Sequence, residues 1–358
     1  MVTMLDCIKR CAPQSEAIIN NLKQRTQGLV DYLGNDINNI SRIYCVGAGS
    51  SNNAAVTARP LMEKVTGVEV EVVFPNVFNR KDVFDKDALY IFTSQTGTST
   101  LVKEQLIKMN NLGYKTVGIC ESENTPISKE AKCFVDMGSG IEEYWYRTIG
   151  YVTSVVTLQA IALRIGLERK HITEAEYNEY LEDAKKAIAN HPTVVEKTLA
   201  WYDKVSANLK DARAFIIYGS ESLHGVALEG ALKILETSKT YLGVGYEMED
   251  GLHGPQLGFA KGDVIIALNN ANPDDWMAQG VTKFAKNELG RGYIFGENTQ
   301  DENDLPFKVA SKHFVSIEFA PAVEILAVKL AELAGVEVAD AEHSVEHVSS
   351  KYFETHRG

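Results

Sequence analysis

Positive charge is scarce in this chain. Its 358 residues carry 36 Lys and Arg against 48 Asp and Glu, a formal net charge of −12. Nucleic-acid backbones need basic patches, so nucleic acid is not expected as a partner. A small anion remains open, because a few neutral donors and one local cation bind it despite the global charge. No apolar stretch approaches the roughly 18–20 residues that span a membrane, and no membrane partner is expected. Residues 1–7 lack the basic start and apolar core of a signal peptide, which makes the cytoplasm the default location. Cysteine is sparse: Cys7, Cys11, Cys45, Cys120 and Cys133 show no CxxC spacing. Of these, Cys45, Cys120 and Cys133 lie in strand-like runs and read as small buried hydrophobes. No metal is expected either. His343 and His347 are four apart, but no carboxylate pattern accompanies them, and a solvated tail is the simpler account.

The most telling feature present is the stretch Ser94-Gln95-Thr96-Gly97-Thr98-Ser99-Thr100, directly after the apolar run at 88–92. Hydroxyls, one glycine and free backbone amides before a helix can wrap a phosphate. No Gly-Lys-Ser/Thr follows, which excludes a Walker loop. With hydrogen-bond donors and no cation of its own, the loop suits a phosphate monoester on a small molecule. An ordinary polar turn with an N-cap is an equally good account of this stretch alone. The turn Gly47-Ala48-Gly49-Ser50-Ser51, after the run at 42–47, adds a second glycine turn into a helix. Both would sit at carboxyl ends of strands, where open α/β sheets bind ligands.

Short apolar runs alternate with helical stretches twice over. Strands are predicted at 42–47, 68–74, 88–93, 115–120 and 133–137, then at 214–218, 240–244, 263–268, 292–296 and 313–319. Continuous rather than alternating apolar runs are expected of parallel strands covered on both faces. The predicted organisation is a helical segment at 1–35, α/β domains at 36–170 and 206–340, a helical connector at 171–205 and a tail at 341–358. Tyr352 and Phe353 favour docking of that tail over fraying. In the second half, Tyr218-Gly219-Ser220-Glu221-Ser222 echoes the glycine turn. The loop Asn269-Asn270-Ala271-Asn272-Pro273-Asp274-Asp275, however, carries two carboxylates that should repel a phosphate. One phosphate site per chain is therefore expected, in the first half.

The helix at 227–237 places Glu229, Lys233 and Glu236 on one face. By pattern alone a surface salt-bridge ladder is the simpler account. A carboxylate beside a lysine at a cleft can instead be a proton shuttle. His253 precedes Gly254-Pro255 in a turn, where a catalytic and a merely solvated histidine are equally expected.

Taken together, Gly47 to Ser51, Ser94 to Ser99, the Ala-Leu-Glu-Gly-Ala-Leu-Lys helix with Glu236, and Leu252-His253-Gly254-Pro255 resemble the sugar isomerase (SIS) domain family. The resemblance runs from about residue 30 to the end. It is to tandem-SIS proteins: the isomerase half of glutamine:fructose-6-phosphate amidotransferase and the fructoselysine or glucoselysine 6-phosphate deglycases. It implies two doubly wound, flavodoxin-like α/β domains in tandem with a C-terminal tail, and no cofactor. It also implies that Ser94, Gln95, Thr96 and Ser99 hold the phosphate of a sugar phosphate, with Gly47, Ala48, Gly49 and Ser51 lining the same place. Glu236 then moves the proton between C1 and C2, Lys233 lies near the reacting carbons, and His253 opens the ring. In the family that histidine reaches a neighbouring subunit's site, which implies a homodimer. Lys351 is the nearest match to the lysine of the family's closing tail, although the usual Pro-Arg-Asn-Leu-Ala-Lys run is missing.

Two departures shape the expected activity. No Cys follows Met1 directly, so no glutaminase and no ammonia release from glutamine are expected. Where the synthase has small residues, this chain has Ser139-Gly140-Ile141-Glu142-Glu143-Tyr144-Trp145-Tyr146-Arg147-Thr148. That rebuilt wall fits a sugar bearing an amino acid, with Glu142, Glu143 or Glu249 able to meet its ammonium group. The expected activity is hydrolysis of a 6-phosphorylated sugar–amine adduct. An amino- or keto-hexose phosphate isomerase or deaminase, and a non-catalytic sugar-phosphate sensor, are the alternatives.

Overall fold

The computed structural model describes residues 2–338 and 348–356, with only the main chain at 349 and 350. The chain forms two compact units: a front unit of residues 13–182 with 340–358, and a rear unit of residues 1–12 with 183–339. The helices are α1 (Met4–Asn20), α2 (Leu22–Arg25), α3 (Gln27–Leu33), α4 (Ser50–Thr66), α5 (Pro75–Asn79), α6 (Thr100–Asn111), α7 (Pro126–Glu130), α8 (Ile149–Glu168), α9 (Glu174–Leu209), α10 (Ser222–Ser238), α11 (Asp275–Phe284) and α12 (Val315–Leu333). The division between units falls within α1 and within the 36-residue α9.

The front unit is built on a parallel five-stranded sheet. Its strands are β1 (Arg42–Val46), β2 (Glu69–Val73), β3 (Leu89–Thr93), β4 (Lys115–Cys120) and β5 (Phe134–Asp136), in the order β2-β1-β3-β4-β5. Cys45 stands opposite Val72 on one side and Ile91 on the other. Both faces are covered, so the central strand β3 is buried throughout and needs apolar residues at every position. One face packs Tyr44 against Tyr90 at 4.9 Å between ring centroids, with Phe78 edge-on to both.

The rear unit repeats the plan with β6 (Ala214–Gly219), β7 (Leu242–Glu247), β8 (Asp263–Asn269), β9 (Gly292–Gly296) and β10 (Leu305–Pro306), in the order β10-β9-β8-β6-β7. Pairing is again parallel. Helices α10 and α12 pack closely enough that a Cβ on Gly230 would lie 2.7 Å from the Val323 Cβ. In each sheet the strand order reverses beside the first strand, between β1 and β3 and between β6 and β8. Ligands of open α/β sheets bind at that point, outside the carboxyl ends of the strands.

Two expectations are corrected. The run at 313–319 is not a strand: it opens the 19-residue helix α12, and the last strand is the two-residue β10. Val315, Ile317 and Phe319 alternate with Ser316 and Glu318, which imitates period two, but the apolar run continues to Leu333, far beyond strand length. The buried Glu318 carboxylate takes up the Ala310 and Ser311 amides, at 2.8 and 3.1 Å, just before the helix. Helix α8 is long and apolar enough to cross a membrane, contrary to the expectation that no stretch comes close. It is buried inside the structure instead, and a Cβ on Gly166 would meet the Val65 carbonyl. All five cysteines are buried and none is in a disulfide, and burial pushes the Cys45, Cys120 and Cys133 thiols up to about 12. His343 and His347 lie outside the described residues.

Candidate active site

The front unit's sequence-predicted loops exit neighbouring strands. After β1, Gly49 adopts φ +56° as the cap of α4, and the Ser51 amide turns back to the Ala48 carbonyl at 3.2 Å. Gly47 has no room for a side chain, since a Cβ would stand 2.9 Å from that of Ser51. After β3, Ser94 is fixed by its amide to the Ile119 carbonyl at 3.1 Å. Gly97, at φ +66°, closes a turn onto the Ser94 carbonyl and lies against Thr125, where no Cβ fits.

Hydroxyls then face one another in pairs: Ser94 Oγ and Ser99 Oγ at 2.9 Å, Thr96 Oγ1 and Thr98 Oγ1 at 2.8 Å. The amides of Gln95, Thr96 and Ser99 make no hydrogen bond to another described residue. Four hydroxyls and three unspent amides before α6 form a neutral cradle for an oxyanion.

Gln95 is where the cradle departs from the sequence reading. Its side chain is engaged within the protein: Nε2 donates to Glu142 Oε2 at 3.1 Å, and Oε1 lies against Gly150, where a Cβ would be 1.6 Å away. Glu142, expected to meet a substrate ammonium, is likewise engaged. Oε1 accepts the Thr148 amide at 2.6 Å, the Thr148 hydroxyl at 2.9 Å and the Ile149 amide at 3.0 Å, while Oε2 accepts the Gly150 amide at 3.1 Å. A buried carboxylate at the start of α8 meets orphan N–H groups and the positive end of the helix dipole. Glu142 therefore hangs loop 139–148 on the cradle glutamine. Glu143 is exposed.

Glu121 was not singled out from the sequence, and Arg147 only as part of the rebuilt wall at 139–148. Glu121 leaves β4, and its amide donates to the Gln95 carbonyl at 2.9 Å. Burial raises the Glu121 pKa above the ordinary value, opposed by Arg147 and by a hydrogen bond from Gln95. Arg147 donates from Nη1 to the Glu142 carbonyl at 3.0 Å and lies over the Trp145 ring at 5.9 Å. The described tail also reaches this loop. Thr100 donates from its amide to the Thr355 carbonyl and from Oγ1 to the Glu354 carbonyl, both at 2.9 Å, and Ser99 forms an antiparallel bridge with His356. The tail docks, as Tyr352 and Phe353 led one to expect, but through its backbone, and both aromatic side chains are exposed. Lys351 is exposed too, over the Tyr352 ring at 5.0 Å.

In the rear unit, α10 brings Glu229, Lys233 and Glu236 together, and they are not a surface ladder. Lys233 Nζ lies 3.3 Å from Glu229 Oε1 and 2.7 Å from Glu236 Oε2. The Glu229 and Lys233 side chains are 0% and 2% exposed, while that of Glu236 keeps 33%. Burial alone would push the Lys233 ammonium down, but the two carboxylates outweigh it and hold the pKa above the usual lysine range. Lys233 therefore stays charged, and Glu236 is the solvent-facing member of the cluster. His253 sits in the tight turn after β7, with Nδ1 3.1 Å from the Glu249 carbonyl, and the Glu249 side chain is exposed.

The rear unit's own switch-point loops offer different chemistry. Asp275 accepts Asn269 Nδ2 at 2.6 Å and Asn298 Nδ2 at 3.1 Å. Burial would raise its pKa, but these bonds and one from Gln279 outweigh it and hold the carboxyl below the usual range. An ionised carboxylate there opposes a phosphate. Among the described residues no cluster of His, Cys, Asp and Glu could hold a metal.

The chain matches the SIS domain family over residues 36–166. It is 29% identical over 255 residues to a glutamine–fructose-6-phosphate aminotransferase of Campylobacter jejuni, covering 69% of this chain and 41% of that protein. The chain thus spans about two fifths of the length of the curated relatives it matches. In fold it resembles a candidate phosphosugar isomerase of Clostridium difficile, with TM-score 0.86, 20% identity and 98% coverage of both chains. A glucosamine-6-phosphate deaminase of Thermotoga maritima follows at TM-score 0.72 and 21% identity, covering 91% of this chain and 97% of that one. Residues 36–166 thus carry a match to the SIS domain, and the chain is similar in sequence to glutamine–fructose-6-phosphate aminotransferases.

Proposed function

We propose that the protein hydrolyses a 6-phosphorylated sugar–amine adduct, of the fructoselysine or glucoselysine 6-phosphate type, to a hexose 6-phosphate and a free amine. The phosphate binds the hydroxyls and free amides of loop 94–99, so the sugar is oriented before chemistry begins. His253 opens the ring. Glu236, held by the charged Lys233, shifts a proton between C1 and C2 through an enolamine. The resulting imine takes up water and expels the amine; adduct plus water gives hexose phosphate plus amine. In the same reading the protein works as a homodimer, with His253 serving a neighbouring subunit's site.

The observation that carries this reading over plain isomerisation is loop 139–148. It is tied to Gln95 through Glu142 and brings Trp145 and Arg147 beside the cradle, groups that a bare hexose phosphate does not require. A second reading is deamination or aldose–ketose isomerisation of an amino- or keto-hexose phosphate. It draws on the chemistry named for the aminotransferases and the deaminase that resemble this chain.

Incubation with fructoselysine 6-phosphate, glucoselysine 6-phosphate and glucosamine 6-phosphate separates the two. Free lysine supports the deglycase, and ammonia or isomerised sugar the alternative. With the preferred substrate, Glu236→Gln is expected to lower kcat about 10²-fold or more while hexose 6-phosphate binding persists. Equal loss of turnover and binding would make Glu236 a structural residue.

A further inference from the structure

Arg147 has unspent hydrogen-bonding capacity. Of its five N–H groups, only those on Nη1 meet an acceptor, the Glu142 carbonyl, and no carboxylate among the described residues lies within ion-pair distance of it. Its plane is set by that bond and by the Trp145 ring. A guanidinium held this way leaves the Nη2–Nε edge open for a two-bond grip on a planar anion such as a carboxylate. In a chain of net charge −12, a half-buried cation without a carboxylate partner among the described residues is the kind of local charge that selects an anionic ligand group.

Its neighbours define the rest of that ligand. Glu121, on the loop leaving the adjacent strand β4, is tied to the cradle by its amide, which donates to the Gln95 carbonyl at 2.9 Å. Trp145 leaves 41% of its surface exposed for apolar contact. The Glu142 side chain ties Arg147's loop to Gln95 of the cradle, so the phosphate and the head group would be held at neighbouring places along one ligand.

We infer that Arg147 and Glu121, with Trp145 between sugar and head group, recognise a zwitterionic amino-acid head carried by the amine half of the substrate: Arg147 its carboxylate and Glu121 its ammonium. This rests on the deglycase reading for the reaction, but not for the binding. The substrate class is then a 6-phosphorylated ketosamine or aldosamine whose nitrogen belongs to an amino-acid side chain, so that the α-carboxylate and α-ammonium remain free.

The test compares two 6-phosphorylated fructosamines, one made from lysine through its ε-nitrogen and one from 1-aminopentane, which lacks the head group. The wild-type kcat/KM is expected to favour the lysine adduct at least 100-fold, and Arg147→Gln to lower that ratio at least tenfold. Arg147→Lys should lie between, because it keeps the charge and loses the fork. Glucose 6-phosphate binding by each variant reports an intact cradle. A wild-type ratio near one overturns the inference without any variant, and so does a ratio left unchanged by Arg147→Gln. If neither adduct nor glucoselysine 6-phosphate releases amine, the deglycase reading fails, and the ratio of the two adducts' dissociation constants, measured by calorimetry, tests the head-group inference by the same criteria.

Discussion

Burial decides what the individual side chains do. A lysine between two glutamates at helical spacing ordinarily decorates a surface, but here Lys233 and Glu229 are sealed off and only Glu236 meets solvent. The spacing was legible in the sequence. Its burial was not, because it depends on α12 covering the helix from a distant part of the chain. Glu142 makes the complementary point. As a candidate for a substrate ammonium it had the right charge, but the unpaired amides opening α8 claim it first. Glu121 and Arg147 could not be placed beside the cradle from sequence, since they lie on different loops that come together only through the fold.

One residue outside the site gives a pH-dependent outcome. His191, in α9 of the rear unit, is 1% exposed with no partner for Nε2 among the described residues, and burial lowers its pKa to about 4. The unfolded chain binds a proton there as pH falls through about 6.5, whereas the folded chain resists until about 4. Stability from this site is therefore complete above the upper value and declines by about 3 kcal/mol as pH drops to the lower one. Unfolding midpoints measured from pH 7.5 to 4 should fall more steeply for the wild type than for His191→Leu. Parallel curves would show that His191 already carries its proton in the folded state.

At the scale of elements, most of the architecture was readable because parallel strands buried on both faces must be short and continuously apolar. The run at 313–319 failed that rule through a local alternation that a long apolar helix also permits. The edge strand β7 shows what seats α10. Gly243 faces Ala231 of that helix, and a Cβ there would lie 2.1 Å from the Ala231 carbonyl oxygen. Gly243→Ala should push α10 off the sheet and destabilise the protein by about 1–3 kcal/mol. Gly280→Ala, in α11 with nothing within 4 Å, should instead stabilise it by about 0.5–1 kcal/mol. Denaturant titration of both variants checks the pair. A Gly243→Ala protein as stable as the wild type would mean that α10 is not held by close approach.

Across the whole molecule the two units share a topology and divide the chemistry. Each sheet reverses its strand order beside its first strand, and each presents a glycine turn and a loop at that point. Only the front loop carries facing hydroxyls and free amides, while its rear counterpart carries Asp274 and Asp275, with Asp275 held ionised by three amide side chains. One phosphate site per chain, in the front unit, is therefore expected, because charge at the rear loop opposes a second. The sequence showed this asymmetry because the deciding residues are contiguous in each loop.

The most direct test of that division is a crystal structure of the protein with glucose 6-phosphate. The account predicts the phosphate on loop 94–99, hydrogen-bonded to Ser94, Thr96 and Ser99 and to the amides before α6, with loop 269–275 empty. A phosphate seated on loop 269–275, or absent from the front loop at saturating ligand, would contradict it.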